Sequence, residues 1–178
     1  MTVQYQALAE DLSPLGAFQV VAEWEWGEKQ VIQMALDKAV LEPTWDFVPV
    51  GNRLRFDLTF LIERAMKWKL IEWDLSKLKY FWFTKPYVDL GPILVMLNRG
   101  SLLGSGLHHF ADKESGAHVP RMYRDGRFAD LIEYVTRERD AIVDLLRDGR
   151  EVLGTMGDER RRLTKAPTRS EIGPTADV

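Results

Sequence analysis

The strongest constraint on the fold is a regular apolar stripe near the carboxyl end of the chain, between residues 127 and 153. Apolar side chains recur there every three or four residues, the spacing that places them on one face of an α-helix. Arg139 and Gly149 interrupt the stripe. We predict one long amphipathic helix, in which residues 128–135 pack on the core and residues 142–153 reach toward another chain. The stripe consists of Phe128, Ile132, Val135, Ile142, Leu146 and Leu153.

Composition limits the chemistry that the chain can carry. With 178 residues, 46% of them hydrophobic, the sequence fits one domain with a core of its own. The absence of cysteine excludes disulfides, thiolate catalysis and zinc sites built on cysteine. A net charge of −3 argues against a broadly basic nucleic-acid binder, but not against a local basic patch. No signal peptide and no apolar run of membrane-spanning length is visible, so we expect a cytoplasmic protein without a membrane partner.

The remaining patterns predict an α+β fold, with a mixed sheet, helices packed on it and the long C-terminal amphipathic helix. Residues 18–26 alternate apolar and polar side chains, which favours a strand over a helix starting at Pro14. The nearly continuous apolar run at residues 93–97 predicts a central strand covered on both faces. Residues 1–163 form a single domain in this interpretation, and the polar residues 164–178 form a disordered tail. The other predicted elements are helices at residues 5–12, 28–41 and 60–69, a hairpin at 45–58, strands at 70–75, 79–83 and 119–123, and a turn at 98–100.

The residues best suited to chemistry are concentrated between positions 91 and 123, which hold all three histidines and five of the 13 glycines. Gly104, Ser105 and Gly106 follow the predicted strand and precede a short helix. A glycine–serine–glycine segment at such a strand-to-helix junction exposes backbone N–H groups that can bind a phosphate. A plain tight turn is the more common use of two such glycines.

The histidines offer little to a metal ion. His108 and His109 are adjacent, so their side chains point in different directions and do not converge easily on one ion. His118, Asp112 and Glu114 are possible additional ligands, and His108 and Asp112 have i,i+4 spacing, but no HExxH or similar motif is present. We predict no metal and no cofactor, and the absence of a nucleophile elbow leaves any catalytic residues unknown. Arg121, after the loop, is a candidate phosphate contact.

Residues 70–123 resemble the ParB/sulfiredoxin-like domain family. The matching segments are residues 71–79 (IEWDLSKLK), 91–95 (GPILV), 106–111 (GLHHFA) and 116–120 (GAHVP). In the family they correspond to an entry strand, a Pro-Ile-x-Val strand, a glycine-led helix start and a Val-Pro strand. His109 lies one place from the family's phosphate-contacting arginine. The resemblance implies binding of a nucleotide or nucleic-acid phosphate around residues 104–109, and a helix between residues 80 and 92 would agree with it.

Two functions therefore stand side by side. The first is a phosphate-binding module, associated with nucleotides or nucleic acid. The second is a non-catalytic structural or interaction protein, an assembly component or an inhibitor, that binds a protein partner or itself through aromatic surface and the C-terminal helix. Six tryptophans and eight phenylalanines favour the second, because aromatic residues beyond the needs of a core often mark an interface. The predicted phosphate-binding residues of the first are Gly104, Ser105, Gly106, His108, His109 and Arg121.

Overall fold

The computed structural model describes residues 1–38, 40–111 and 113–165, and it confirms the α+β class. Strands open the chain and helices make up most of the rest. Two short 3₁₀ turns, Leu107–His109 and Gly116–His118, lie in the long connection before the last two helices. The strands and helices in chain order are β1 Thr2–Leu8, β2 Pro14–Ala22, α1 Glu23–Trp26, α2 Glu28–Leu36, β3 Val50–Gly51, α3 Leu54–Lys67, α4 Leu75–Thr84, β4 Val88–Asp89, α5 Leu90–Leu97, α6 Val119–Arg124 and α7 Phe128–Lys165.

The chain opens with an antiparallel hairpin of β1 and β2. The helix predicted at residues 5–12 is wrong, because successive side chains of β1 face opposite sides and the strand pairs along its length with β2. The connecting turn is held by Asp11, whose carboxylate accepts a hydrogen bond from the Ser13 backbone N–H at 2.9 Å. The strand predicted at residues 18–26 is confirmed as far as Ala22, and residues 23–26 form α1 instead.

The sequence predicts a single mixed sheet, and this prediction is wrong. The β1–β2 hairpin forms a sheet of its own. β3 and β4 form a separate parallel pair, in which Val50 pairs with Val88 and Gly51 with Asp89. The hairpin predicted at residues 45–58 is wrong, because α3 already begins at Leu54. Within the described ranges the sheet content is therefore two pairs of strands, and helices supply most of the core.

The larger core lies between α2, α3 and α4. The helices predicted at residues 28–41 and 60–69 are confirmed as α2 and α3, although α2 ends earlier and α3 begins earlier than predicted. Trp73 and Trp82 flank the ring of Phe81, with ring centroids 5.2 Å and 4.9 Å away. Burying these apolar side chains is the main stabilising contribution to this part of the fold. The buried members are Ile32, Ala35, Leu41, Leu58, Leu61, Ile62, Ala65 and Phe81.

Three segments predicted as strands are helices, and their first turns show why. Asp74 caps α4 by accepting a hydrogen bond from the Lys77 N–H at 2.8 Å, and Asp89 caps α5 by accepting one from the Gly91 N–H at 2.9 Å. Pro120 lies in the first turn of α6, where proline is favourable. These starts outweigh the β-propensity of the aliphatic and aromatic residues that follow. The wrong predictions are residues 79–83, 93–97 and 119–123. The strand predicted at residues 70–75 is wrong as well, because residues 70–74 form an irregular connection and Leu75 begins α4.

The predicted long helix is confirmed as α7 and extends further, to Lys165. At its start, Phe128 stacks on Trp24 with ring centroids 4.4 Å apart. The expectation that residues 142–153 reach toward another chain is wrong for the first part of that range. Val143 is buried, and Ile142 packs against a second, smaller core of Leu94, Leu107 and Ala141.

The rest of α7 is less covered. Arg139, which interrupts the apolar stripe, lies over the ring of Phe18 at 4.6 Å and donates a hydrogen bond to the Gln6 side chain at 3.3 Å. The side chain of Leu153 lies outside the described part of the structure. The predicted disordered tail also lies outside it, except for Thr164 and Lys165, which end α7.

Candidate functional site

The most unusual surface of the protein begins on α5. This helix consists almost entirely of Leu, Ile, Val and Met, yet it buries only Leu90 and Leu94. Ile93, Met96 and Leu97 lie on an outward face at helical spacing, and Met96 is 78% exposed. A helix of this composition normally lies inside a core, so an apolar face that is exposed to solvent is unusual and is typical of a binding surface.

The loop after α5 extends this apolar face. The Asn98 side-chain amide donates hydrogen bonds to the backbone carbonyls of Ser101, at 2.9 Å, and Leu103, at 2.7 Å. The Ser105 hydroxyl donates to the carbonyl of Leu102 at 2.8 Å. The backbone of the loop is thus held in place while Leu102 and Leu103 remain 78% and 90% exposed. Ile93, Met96, Leu97, Leu102 and Leu103 are called the α5 surface below.

The loop also contains most of the predicted phosphate-binding residues. Gly104 has φ +82°, a conformation that favours glycine. Ser105 is buried, and its backbone N–H donates to the carbonyl of Leu102 at 3.3 Å. The imidazole of His108 folds back against Gly106, where an added Cβ would come within 2.7 Å of the ring. These glycines and this serine build the turn that carries the leucines, and phosphate binding by them stays a prediction.

The other predicted site residues are open to solvent. His108 and His109 are exposed, with ring centroids 4.0 Å apart, and they lie in a 3₁₀ turn and not directly after a strand. Arg121 projects from α6 and forms an ion pair with Asp125 at 3.4 Å, one turn along the same helix. Asp112 lies outside the described residues. Among the residues that are described, no three histidine, aspartate or glutamate side chains are arranged to hold a metal ion.

A buried ion pair that the sequence did not reveal joins this region to α7. The Lys113 side chain is only 5% exposed, and its ammonium donates to Glu138 at 2.6 Å and to the Tyr134 hydroxyl at 2.8 Å. Burial alone would lower the pKa of Lys113, but the hydrogen bonds to Glu138 and Tyr134 outweigh it and raise the pKa. Lys113 therefore remains charged and fastens the chain after the loop to the last helix.

Asp57, on α3, lies near the same helix. Loss of hydration raises the pKa of Asp57 to about 6, and the negative charges of Glu138 and Asp89 add to the rise. The side chain of Asp57 is still accessible to water, which limits the energetic cost of the shift. No pattern in the sequence distinguishes Asp57 or Lys113 from other charged residues, because each lies in an ordinary amphipathic or polar segment.

No family model matches the sequence, and no curated protein and no solved structure shows significant similarity to it. No helix in the described ranges is both long enough and apolar enough to cross a membrane.

Proposed function

We propose that this chain is a non-catalytic interaction protein that binds a protein partner through the α5 surface. The observation that carries the proposal is the pair Leu102 and Leu103, almost fully exposed on a loop whose backbone is held by hydrogen bonds. Exposed leucines on an ordered loop lose water on binding without a large ordering cost, because the loop is already in place.

The chemistry around the leucines also suits a protein interface. Met96 is flexible and polarizable, so it adapts to the shape of an apolar partner. Asn98, Arg99 and Ser101 lie between the helix and the two leucines and supply polar groups at the edge. An apolar centre with a polar rim is the common composition of specific interfaces. Exposed tryptophans elsewhere, Trp26 and Trp45, agree with an excess of aromatic surface over the needs of the core.

A capture experiment with a matched control tests the proposal. The full chain is immobilised as wild type, as Leu102→Asp/Leu103→Asp and as Leu75→Asp, which places the same change on an exposed leucine of α4. We expect a partner from the native host, identified by mass spectrometry, to be retained by the wild type and by Leu75→Asp and lost with the double variant. The exposed positions should change the free energy of unfolding by less than about 0.5 kcal/mol each.

Equal recovery by all three proteins would contradict the proposal. Failure of the wild type to enrich any protein over blank resin would contradict it as well. Thermal melting of each variant, followed by circular dichroism, separates lost binding from lost folding.

Phosphate binding is the second candidate, and the exposed histidine pair favours it. His108 and His109 stand next to the glycine loop and offer ring N–H groups to an anion. The end of α4 also occupies residues 80–84, where the family resemblance expects a helix, although the segments at residues 93–95 and 119–120 are helical here and not strands. Titration with nucleotides and short DNA at low salt tests it. No binding tighter than about 1 mM, or binding unchanged in His108→Ala/His109→Ala, would remove this candidate.

A further inference from the structure

The end of α7 extends past the part of the helix that packs on the rest of the protein. Arg147 donates to the backbone carbonyl of Leu12 at 3.4 Å, and Arg150 donates to that of Glu10, so the hairpin turn lies under this part of the helix. From Glu151 to Arg162, every residue with a described side chain except Gly157 is exposed. The fifteen residues after Arg150 correspond to about 22 Å of helix.

This extension is a poor helix by itself. Gly154 and Gly157 each disfavour a helix by about 1 kcal/mol relative to alanine. A methyl group at Gly154 would meet nothing within 4 Å, so no packing within the chain explains that glycine. Isolated helices of this length are marginal in water. The apolar stripe nevertheless continues along the extension through the exposed Val152 and Met156, in line with the covered part of the same stripe.

A groove runs along the preceding part of α7, with a volume of about 480 Å³. Its floor is apolar and consists of Phe110, Ala141 and Leu145. Its edge is acidic, because Asp140, Asp144 and Asp148 follow one another at intervals of four residues. Arg137 is the one basic residue of its lining, so the groove carries a net negative charge. Asp140 pairs with the half-buried Arg139 and Asp144 with the exposed Arg147, but both carboxylates are open to solvent, so these pairs are of small energetic value.

The complement of the groove lies on the same helix. Arg160, Arg161 and Arg162 are consecutive at the end of the extension. They cannot reach the groove of their own chain, because one continuous helix separates Arg162 from Asp148 by about 21 Å. In an antiparallel pair of copies, the arginines of each copy lie beside the acidic groove of the other, so the same contact forms twice.

We propose that two copies of the chain pair antiparallel through the ends of α7, with the arginines of each copy beside the acidic groove of the other. In the register that places Val152 against Met156 of the second copy, the two-fold axis passes the helix at the height of residue 154. Arg160 then lies opposite Asp148, and Arg162 lies within a turn of Asp144. Each copy contributes the same patch, as an isologous dimer requires. The charges fix the register.

Reciprocal charge reversal tests this pairing on the full chain. One variant reverses the groove (Asp144→Arg/Asp148→Arg), and the other reverses the end (Arg160→Glu/Arg162→Glu). By sedimentation equilibrium at about 50 mM salt, we expect the wild type to dimerise and each variant alone to dimerise at least about tenfold more weakly. An equal mixture of the two variants should restore the dimer, because both contacts become complementary again. Glu63→Arg, a charge reversal at an exposed position of α3, should leave the dimer intact.

The experiment distinguishes the second copy from other occupants. The measurement is also made at about 100 μM protein, 100-fold above the concentration of an ordinary assay. A wild type that is still monomeric at this concentration overturns the proposal. Variants that dimerise like the wild type, or a mixture that does not restore the dimer, overturn it too. Binding of short DNA by a monomeric wild type, lost on reversal of the arginines, would assign the end of α7 to nucleic acid instead. Circular dichroism of each variant verifies that α7 is still formed.

Discussion

The two hydrophobic regions of this protein use apolar residues in opposite ways. In the larger core, α3 turns Leu58, Leu61 and Ile62 inward. In the smaller one, α5 turns Leu94 inward but leaves most of its other large side chains at the surface. The sequence of α5 is the more hydrophobic of the two, so composition alone would have placed it deeper. The difference separates residues that stabilise the fold from residues that remain available for binding.

The two regions are also held together differently. The larger core depends on apolar burial between three helices. The smaller region has few buried apolar residues, and the ion pair of Lys113 with Glu138 fastens it to α7. We therefore expect the α5 region to open locally at a lower free energy than the region around α3.

The largest expected effect is in the core. Ile62 is 2% exposed, so Ile62→Ala should lower the free energy of unfolding by about 3 kcal/mol, from lost burial and from the cavity left behind. Met96→Ala, which makes a similar reduction on the α5 surface, should change it by less than about 0.5 kcal/mol. Urea unfolding of the two variants measures both values. Comparable losses at the two positions would erase the distinction between the regions.

A smaller effect is expected at the ion pair. Lys113→Met leaves Glu138 with only the long hydrogen bond from the Gln4 side chain, at 3.4 Å, and we expect a loss of about 2 kcal/mol, less than for a fully buried pair because Glu138 is partly exposed. Adding Glu138→Gln should recover part of this loss. Hydrogen exchange should become faster mainly in residues 98–118, with α3 little changed. Uniformly faster exchange would show that the two regions unfold as one unit.

The smallest effect is expected at Asp57, on the border between the regions. Its pKa of about 6 in the folded protein lies above the usual value for aspartate, so the folded state binds this proton more tightly than the unfolded state. Its contribution to stability therefore falls as pH rises from about 4 to about 6. The free energy of unfolding of Asp57→Asn should rise relative to that of the wild type by roughly 1 kcal/mol between pH 4 and pH 7. This value is reduced to allow for the solvent exposure of the side chain. A difference in melting temperature that does not change with pH would refute the raised pKa.

Periodicity predicted the elements whose apolar residues are used inside the fold. α2, α3 and α7 were predicted from their stripes, and most of the described stripe residues are buried or half-buried, with Phe60 and Trp68 of α3 as exceptions. The pattern failed for α5 because its outward face is as apolar as its inward face, which leaves no polar side to show the helical period. The capping signal of Asp89 with Pro92 in the first turn was present in the sequence and was outweighed by the run of aliphatic residues.

The sequence pointed to the same stretch of the chain as the α5 surface, but for a different reason. The glycines and Ser105 drew attention as a phosphate loop, and they hold the turn that presents Leu102 and Leu103. The two leucines between glycines were a signal available from the sequence alone. The Lys113 ion pair was not predictable, because its partner Glu138 lies 25 residues further along the chain and only the packing of α7 brings them together.

The length of α7 has a consequence for strength of binding. A helix of 38 residues extends about 57 Å, and the α5 region is attached to its middle part, near Ala141. A dimer joined at the ends of two such rods holds its two α5 surfaces at a fixed spacing. A ligand that repeats at that spacing would be retained by both surfaces at once, and the resulting avidity would exceed the affinity of either surface without any new contact.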